Sequence, residues 1–88
     1  MSRSFKNIAE VIRRTRAEAG LSQVELSARV GYDRNGQFVS NIERGICSVP
    51  ERKIKDFAEE LEINPNEIRR AMVFDYAASI GLKVDTLI

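Results

Sequence analysis

Apolar residues recur at helical spacing along almost the whole chain. Phe5, Ile8, Ile12, Thr15 and Ala19 form one stripe and predict a helix over residues 5–19, with Gly20 as its stop. Ser22 and Glu25 form an S-x-x-E capping box, the signature of a helix start. The second helix points Leu26 and Val30 inward and ends at Gly31. Tyr32, Asp33, Arg34, Asn35 and Gly36 read as a turn, and a third helix follows over residues 37–44, with Val39 and Ile42 inward and Gly45 closing it. Pro50 suits the first turn of a fourth helix, whose core face is Ile54, Phe57, Ala58 and Leu61. Asn64, Pro65 and Glu67 supply a cap, a first-position proline and a box-like partner for a fifth helix. That helix carries Ile68, Met72 and Tyr76 inward and reaches toward Ile80.

After Gly81 the pattern changes. Leu82, Val84 and Thr86 alternate with Lys83, Asp85 and Leu87, a short strand signature. An isolated strand has no partner among helices, so residues 81–88 either pair with their copy in a dimer or pack as an extended tail. The expected architecture is all-α: a compact five-helix unit over residues 1–80, then this tail. No repeat, low-complexity tract or linker interrupts it.

Eighty-eight residues is one domain's worth of chain and leaves no room for a separate sensor or catalytic domain. No apolar run approaches the roughly 20 residues that span a bilayer. The first residues lack a signal-peptide core, so a cytoplasmic protein without membrane contact is expected. One cysteine and no histidine exclude an internal disulfide, a finger-type zinc site and a histidine-paired nucleophile. No glycine-rich phosphate loop appears either; an enzyme, a metal and a cofactor are not expected. The net charge is only +1, but it is unevenly spread. Residues 1–53 hold ten Lys and Arg against six Asp and Glu, whereas residues 54–88 hold four against seven. Either the basic half faces a polyanion, or the asymmetry is ordinary scatter on a small domain.

The segment from Leu21 to Gly45, two short helices about a glycine turn, has the layout that places one helix in the major groove of DNA. Leu21-Ser22-Gln23, Glu25-Leu26, Gly31 and the run from Val39 to Gly45 (VSNIERG) resemble the Cro and phage-repressor-like helix-turn-helix family, also called the XRE family. The resemblance covers roughly residues 8–70, with the helix-turn-helix at about 22–45, and implies a lambda-repressor-like fold. One departure stands out. The distance from Gly31 to Glu43 is two residues longer than is usual, with the extra length near Asp33 to Gly36. Positions in the third helix are therefore counted backward from Ile42.

With Val39 and Ile42 inward, Gln37, Ser40, Asn41 and Arg44 face outward. The resemblance implies base contacts at Gln37 and Asn41, whose amides suit adenine N6 and N7; Ser40 is a candidate for base or phosphate. It also implies that Gln23 holds a phosphate at the start of the second helix. Arg34 and Arg44 are further phosphate candidates, since arginine grips phosphate bidentately; plain solvation is the alternative for each. Matching residues in the family form a salt bridge between the first and third helices, which assigns Arg16 and Glu43 a structural role. Ile46-Cys47-Ser48 stands where many relatives carry Lys or Arg, and Arg52 and Lys53 are candidates to replace those contacts. Phe38 either packs over Tyr32 or touches a thymine methyl. Cys47 is expected to fill space, with a redox role as the alternative.

The family solution to reading few base pairs per helix is a two-fold dimer on a palindrome, with half-sites roughly 34 Å apart. Met72, Val73, Phe74, Tyr76, Ile80, Leu82, Leu87 and Ile88 supply either that dimer surface or the monomer core. The resemblance thus implies a sequence-specific, double-stranded DNA-binding transcriptional regulator, a homodimeric (auto)repressor. The alternatives on the same fold are an antitoxin, whose acidic C-terminal half grips a small protein partner, and a restriction–modification controller.

Overall fold

The computed structural model describes residues 5–82. Five helices follow in order: α1 (Lys6–Glu18), α2 (Gln23–Arg29), α3 (Gln37–Glu43), α4 (Ile54–Leu61) and α5 (Pro65–Ser79), with a 3-10 turn over Glu51–Lys53. No strand occurs among the described residues, and no described helix is long and apolar enough to cross a membrane. The strand-or-tail expectation for residues 83–88 lies outside the described residues.

The stripes read from the sequence converge on one core. Ile8 and Ile12 of α1, Leu26 of α2, Val39 and Ile42 of α3, Phe57 of α4 and Ile68 of α5 are all sealed from solvent. α1 packs on α5 and on α3, α2 packs on α3, and α4 packs on α5. α3 is thus wedged between α1 and α2, with its opposite face free.

Helix ends follow a common rule. Beyond each helix a residue in the left-handed region turns the chain back, and the next N–H bonds a carbonyl one turn inside. These bonds are Leu21 to Arg16 (3.1 Å), Tyr32 to Ser27 (3.0 Å), Ile46 to Asn41 (3.0 Å), Ile63 to Ala58 (3.0 Å) and Leu82 to Ala77 (2.8 Å). Four of the turning residues are glycines; the fifth is Glu62 (φ 58°).

Helix starts differ from one another. The α2 capping box is complete: Ser22 Oγ accepts from Glu25 N–H (3.0 Å) and Glu25 Oε1 accepts from Ser22 N–H (2.8 Å). These bonds hold the Glu25 carboxyl below the usual range. At α5, Asn64 accepts from Asn66 N–H (2.8 Å), but Glu67 does not close a box; it pairs with Arg14 of α1 at 2.7 Å. α1 begins at Phe5 with no side-chain cap of its own. Its cap comes from α5. Asp75 Oδ1 accepts from Asn7 N–H (2.8 Å) and Asn7 Nδ2 (2.9 Å), and Oδ2 accepts from Ile8 N–H (2.9 Å).

Asp75 is buried, at 3% exposure, where the sequence reading put Tyr76. The inward stripe of α5 runs Ile68, Ala71, Asp75, and a residue one step further is rotated by about 100°; Tyr76 accordingly stands in solvent. Ala19 is likewise exposed, because it lies past the last turn of α1. Pro50 precedes the 3-10 turn, so α4 itself begins only at Ile54.

Candidate nucleic-acid interface

α3 is short, and its position is set by what grips its two ends. Its N-cap, Gly36, has no side chain to cap with, yet every free N–H of the first turn is satisfied. Gln37 N–H donates to Asn35 Oδ1 (3.0 Å), Phe38 N–H to Asp33 Oδ2 (2.9 Å) and Val39 N–H to Ser27 Oγ (3.1 Å). Ser40 N–H donates to the Gly36 carbonyl at 2.9 Å. Asp33 Oδ1 also accepts from Gly36 N–H (2.7 Å) and Asn35 N–H (3.2 Å). Desolvation pushes the Asp33 carboxyl up, but the backbone donors around it outweigh that and hold it below the usual range.

The two extra residues of the turn thus build a cap. Gly36 (φ 81°) completes it: a Cβ there would meet Val24 N at 3.0 Å and Val24 Cα at 3.2 Å. The same turn is anchored by rings. Tyr32 stacks on Phe38 with centroids 3.6 Å apart, and Phe38 meets Phe57 edge-on at 6.1 Å. Phe38 is therefore packed against the core rather than presented outward. Lys53 Nζ lies 5.3 Å from the Tyr32 ring centroid and donates to the Val30 carbonyl at 2.7 Å. Its ammonium closes the end of α2 with one of its three donors; Arg52 stays exposed.

The far end of α3 is held by a three-way clamp. Glu43 Oε2 accepts from Arg16 Nε (2.6 Å), and Oε1 accepts from Arg16 Nη2 (3.0 Å) and from Gln23 Nε2 (3.0 Å). Arg16 Nη1 reaches on to the Leu21 carbonyl at 2.9 Å. The Glu43 side chain is only 6% exposed, so the pair is shielded and bidentate. The hydrogen bonds to Glu43 push the Arg16 guanidinium further above its ordinary value against some desolvation. One arginine thereby ties α1, the α1–α2 corner and α3 together. Gln23 sits inside this clamp with one amide N–H committed; the other remains a donor.

What remains facing outward on α3 is polar. Gln37 is exposed, Ser40 and Asn41 are half-buried, and Arg44 is exposed at the C-cap. Gln37 Nε2 donates to Asn41 Oδ1 at 2.9 Å, so the two amides touch one turn apart. Arg34 is exposed on the turn between α2 and α3, and Ile46 projects from the loop after α3 at 56% exposure. Cys47, next to it, is half-buried against the core, and burial pushes its thiol up; that suppresses the thiolate a redox role would need.

Sequence reasoning named the Arg16–Glu43 pair but missed the other residues that hold α3. Ser27 follows Leu26 directly and shows no pattern of its own. Asp33 and Asn35 carry a turn signal, but their reach to α3 depends on the longer loop. The clue to Asp75 was present: an acid on the stripe of Ile68 and Ala71.

A helix-turn-helix domain model matches residues 7–71 of the chain. Among solved structures, the chain is similar to the wild-type restriction-modification controller protein C.Esp1396I, with 21% identity and a TM-score of 0.63, over 86% of this chain and 97% of that one. At that identity the likeness concerns the fold. A comparison with curated proteins gave no match. The family match runs from Asn7, under the Asp75 cap, through both grips on α3 to Ala71 on α5, and the chain belongs to the helix-turn-helix domain family.

Proposed function

We propose that the protein is a sequence-specific transcriptional regulator that lays α3 in the major groove of a palindromic operator as a homodimer. The observation that carries this reading is the contrast on α3. Its inner face is packed in the core and both ends are held by hydrogen bonds, while its outer face offers Gln37, Ser40, Asn41 and Arg44. Base edges are read from the face that carries Gln37, Ser40 and Asn41, and phosphates are held by Gln23, Arg34 and Arg44. Arg16 and Glu43 aim the helix without touching DNA.

Dimerisation is assigned to the α4–α5 side. Val73, Tyr76 and Ile80 are exposed there, beside a groove of about 360 Å³ lined by Ile54, Met72, Val73 and Tyr76, with Glu51 and Arg69 at its polar positions. Repression by occupying a promoter, often its own, needs no further part. A second reading, control of a restriction–modification system, is favoured by the 97% coverage of the controller protein; a neighbouring methyltransferase gene would support it.

The test is fluorescence anisotropy on DNA from the gene's own upstream region, with excess random competitor and a salt series. Competitor-resistant binding of two chains per site, with a steep salt dependence, is the expected result. Binding that disappears with competitor would remove the self-operator from the proposal.

A further inference from the structure

The bond between Gln37 and Asn41 has a consequence for how sequence is read, and it rests on the reading of α3 as the recognition helix. Residues four apart on a helix are separated by about 6 Å along the axis. Base pairs repeat at about 3.4 Å. Two independent amides at this spacing would address different base pairs. Here they are joined: Gln37 Nε2 donates to Asn41 Oδ1 at 2.9 Å.

The two partners are not equivalent. Each amide has two N–H donors and one oxygen with two lone pairs. Gln37 spends one N–H and keeps a second N–H together with its whole carbonyl oxygen. That is the adjacent donor and acceptor which adenine N7 and N6 require. Asn41 spends part of its oxygen, the group it would need to accept from adenine N6. Position agrees with chemistry. Gln37 is exposed at the first position of α3, where recognition helices meet base edges, and Asn41 is half-buried one turn behind it. The bond also chooses which way the Gln37 amide faces, removing the rotation that would let it accept other bases equally.

We infer that Gln37 and Asn41 form one reading unit for a single A·T pair, with Gln37 touching adenine and Asn41 acting as a positioning residue through its oxygen.

Selection of bound duplexes from a random-sequence DNA pool, followed by sequencing, tests this on the full chain. Wild type, Gln37→Ala, Asn41→Ala, the double variant and Asn41→Asp are compared, with circular dichroism confirming that each is folded. Gln37→Ala and Asn41→Ala are expected to lose preference at the same base pair, by about tenfold to a hundredfold. The double variant should be no worse at that position than Gln37→Ala alone. Asn41→Asp keeps an oxygen for Gln37 but removes the donors. It should keep the adenine preference while binding all DNA more weakly, since it adds a negative charge. Loss of preference at two different base pairs would overturn the inference, as would a shift to cytosine in Asn41→Asp, the mark of direct contact through the carboxylate. A wild-type pool that stays random would overturn the underlying assignment of α3, and this inference with it.

Discussion

The starts of α1 and α3 pose the same problem and solve it at different ranges. Neither Phe5 nor Gly36 caps its own helix. In both cases an aspartate supplies the missing acceptor. For α1 it is Asp75, 67 and 68 residues away on α5, buried and fixed by the packing of the two helices. For α3 it is Asp33, three to five residues away in the preceding turn, joined by Asn35 and by Ser27 from α2. The long-range cap ties a helix start to the fold as a whole. The local cap ties α3 to its turn, and so governs where the DNA-facing side chains sit. The difference predicts that damage at Asp75 acts on stability, whereas damage around Asp33 acts first on DNA binding.

The largest effect is expected at Asp75. Asp75→Ala removes three hydrogen bonds and strands the N–H of Ile8 inside the protein, a loss of about 3 kcal/mol in unfolding free energy. Urea unfolding followed by circular dichroism measures it. Below the transition, DNA affinity per folded molecule should change little. A loss under about 1 kcal/mol would mean that water replaces the carboxylate and the long-range cap is dispensable.

Gly36→Ala should come next, at about 2 kcal/mol, because a side chain at φ 81° is strained and its Cβ would press on the Val24 backbone at 3.0 Å. Here the comparison sharpens. The clash forces α3 away from α2, so DNA affinity should fall by more than the stability loss accounts for. Equal affinity per folded molecule would show that the turn can move without moving α3.

What the sequence made legible divides along the same line. Each helix could be placed because its apolar stripe lies within the helix itself, as with Leu26 and Val30 behind the Ser22–Glu25 box. Counting backward from Ile42 also located the outward face of α3, since that register depends only on helical spacing. Contacts that close across the fold left at most a faint local trace. Lys53 reads as a free cation until Val30 and Tyr32 are brought under it. Asp75 reads as a surface acid until α5 turns it toward Asn7. The extra turn residues were visible as a departure in length, but their purpose was not, because Asp33 reaches α3 only once the rings of Tyr32, Phe38 and Phe57 have set the loop.

Asp33→Ala is expected to lower the melting temperature less than either variant above, because the turn is partly exposed to water that can take over the N–H groups. Its signature is in pH. The folded Asp33 carboxyl lies below its unfolded range, so its contribution to stability is present above about pH 4 and is lost as pH falls through the depressed folded value. Acid unfolding of the wild type should therefore include a component that Asp33→Ala lacks, while Asp75→Ala retains it. At neutral pH the variant should bind operator DNA more weakly, since the start of α3 is then held only by Asn35 and Ser27. Unchanged acid unfolding would remove Asp33 as the group that titrates.

The smallest effect is a gain, and it serves as the control for the others. Glu62 ends α4 in the left-handed region at φ 58°, where the other four helices use glycine. A side chain there costs about 1–2 kcal/mol, and glycine gives back part of that through the greater freedom of its unfolded chain. Glu62→Gly should therefore raise stability by about 0.5–1 kcal/mol, seen as a higher urea midpoint with an unchanged slope. α4 packs against α5, and Glu62 stands past its C-terminal end, beyond Phe57, the α4 residue that meets Phe38 of α3. If local strain at a helix end stays local, DNA affinity and the selected sequence should not change. A Glu62→Gly variant with altered DNA affinity would show that the ends of α4 and α3 communicate, and the separation between stability and DNA reading drawn from the two aspartates would have to be given up.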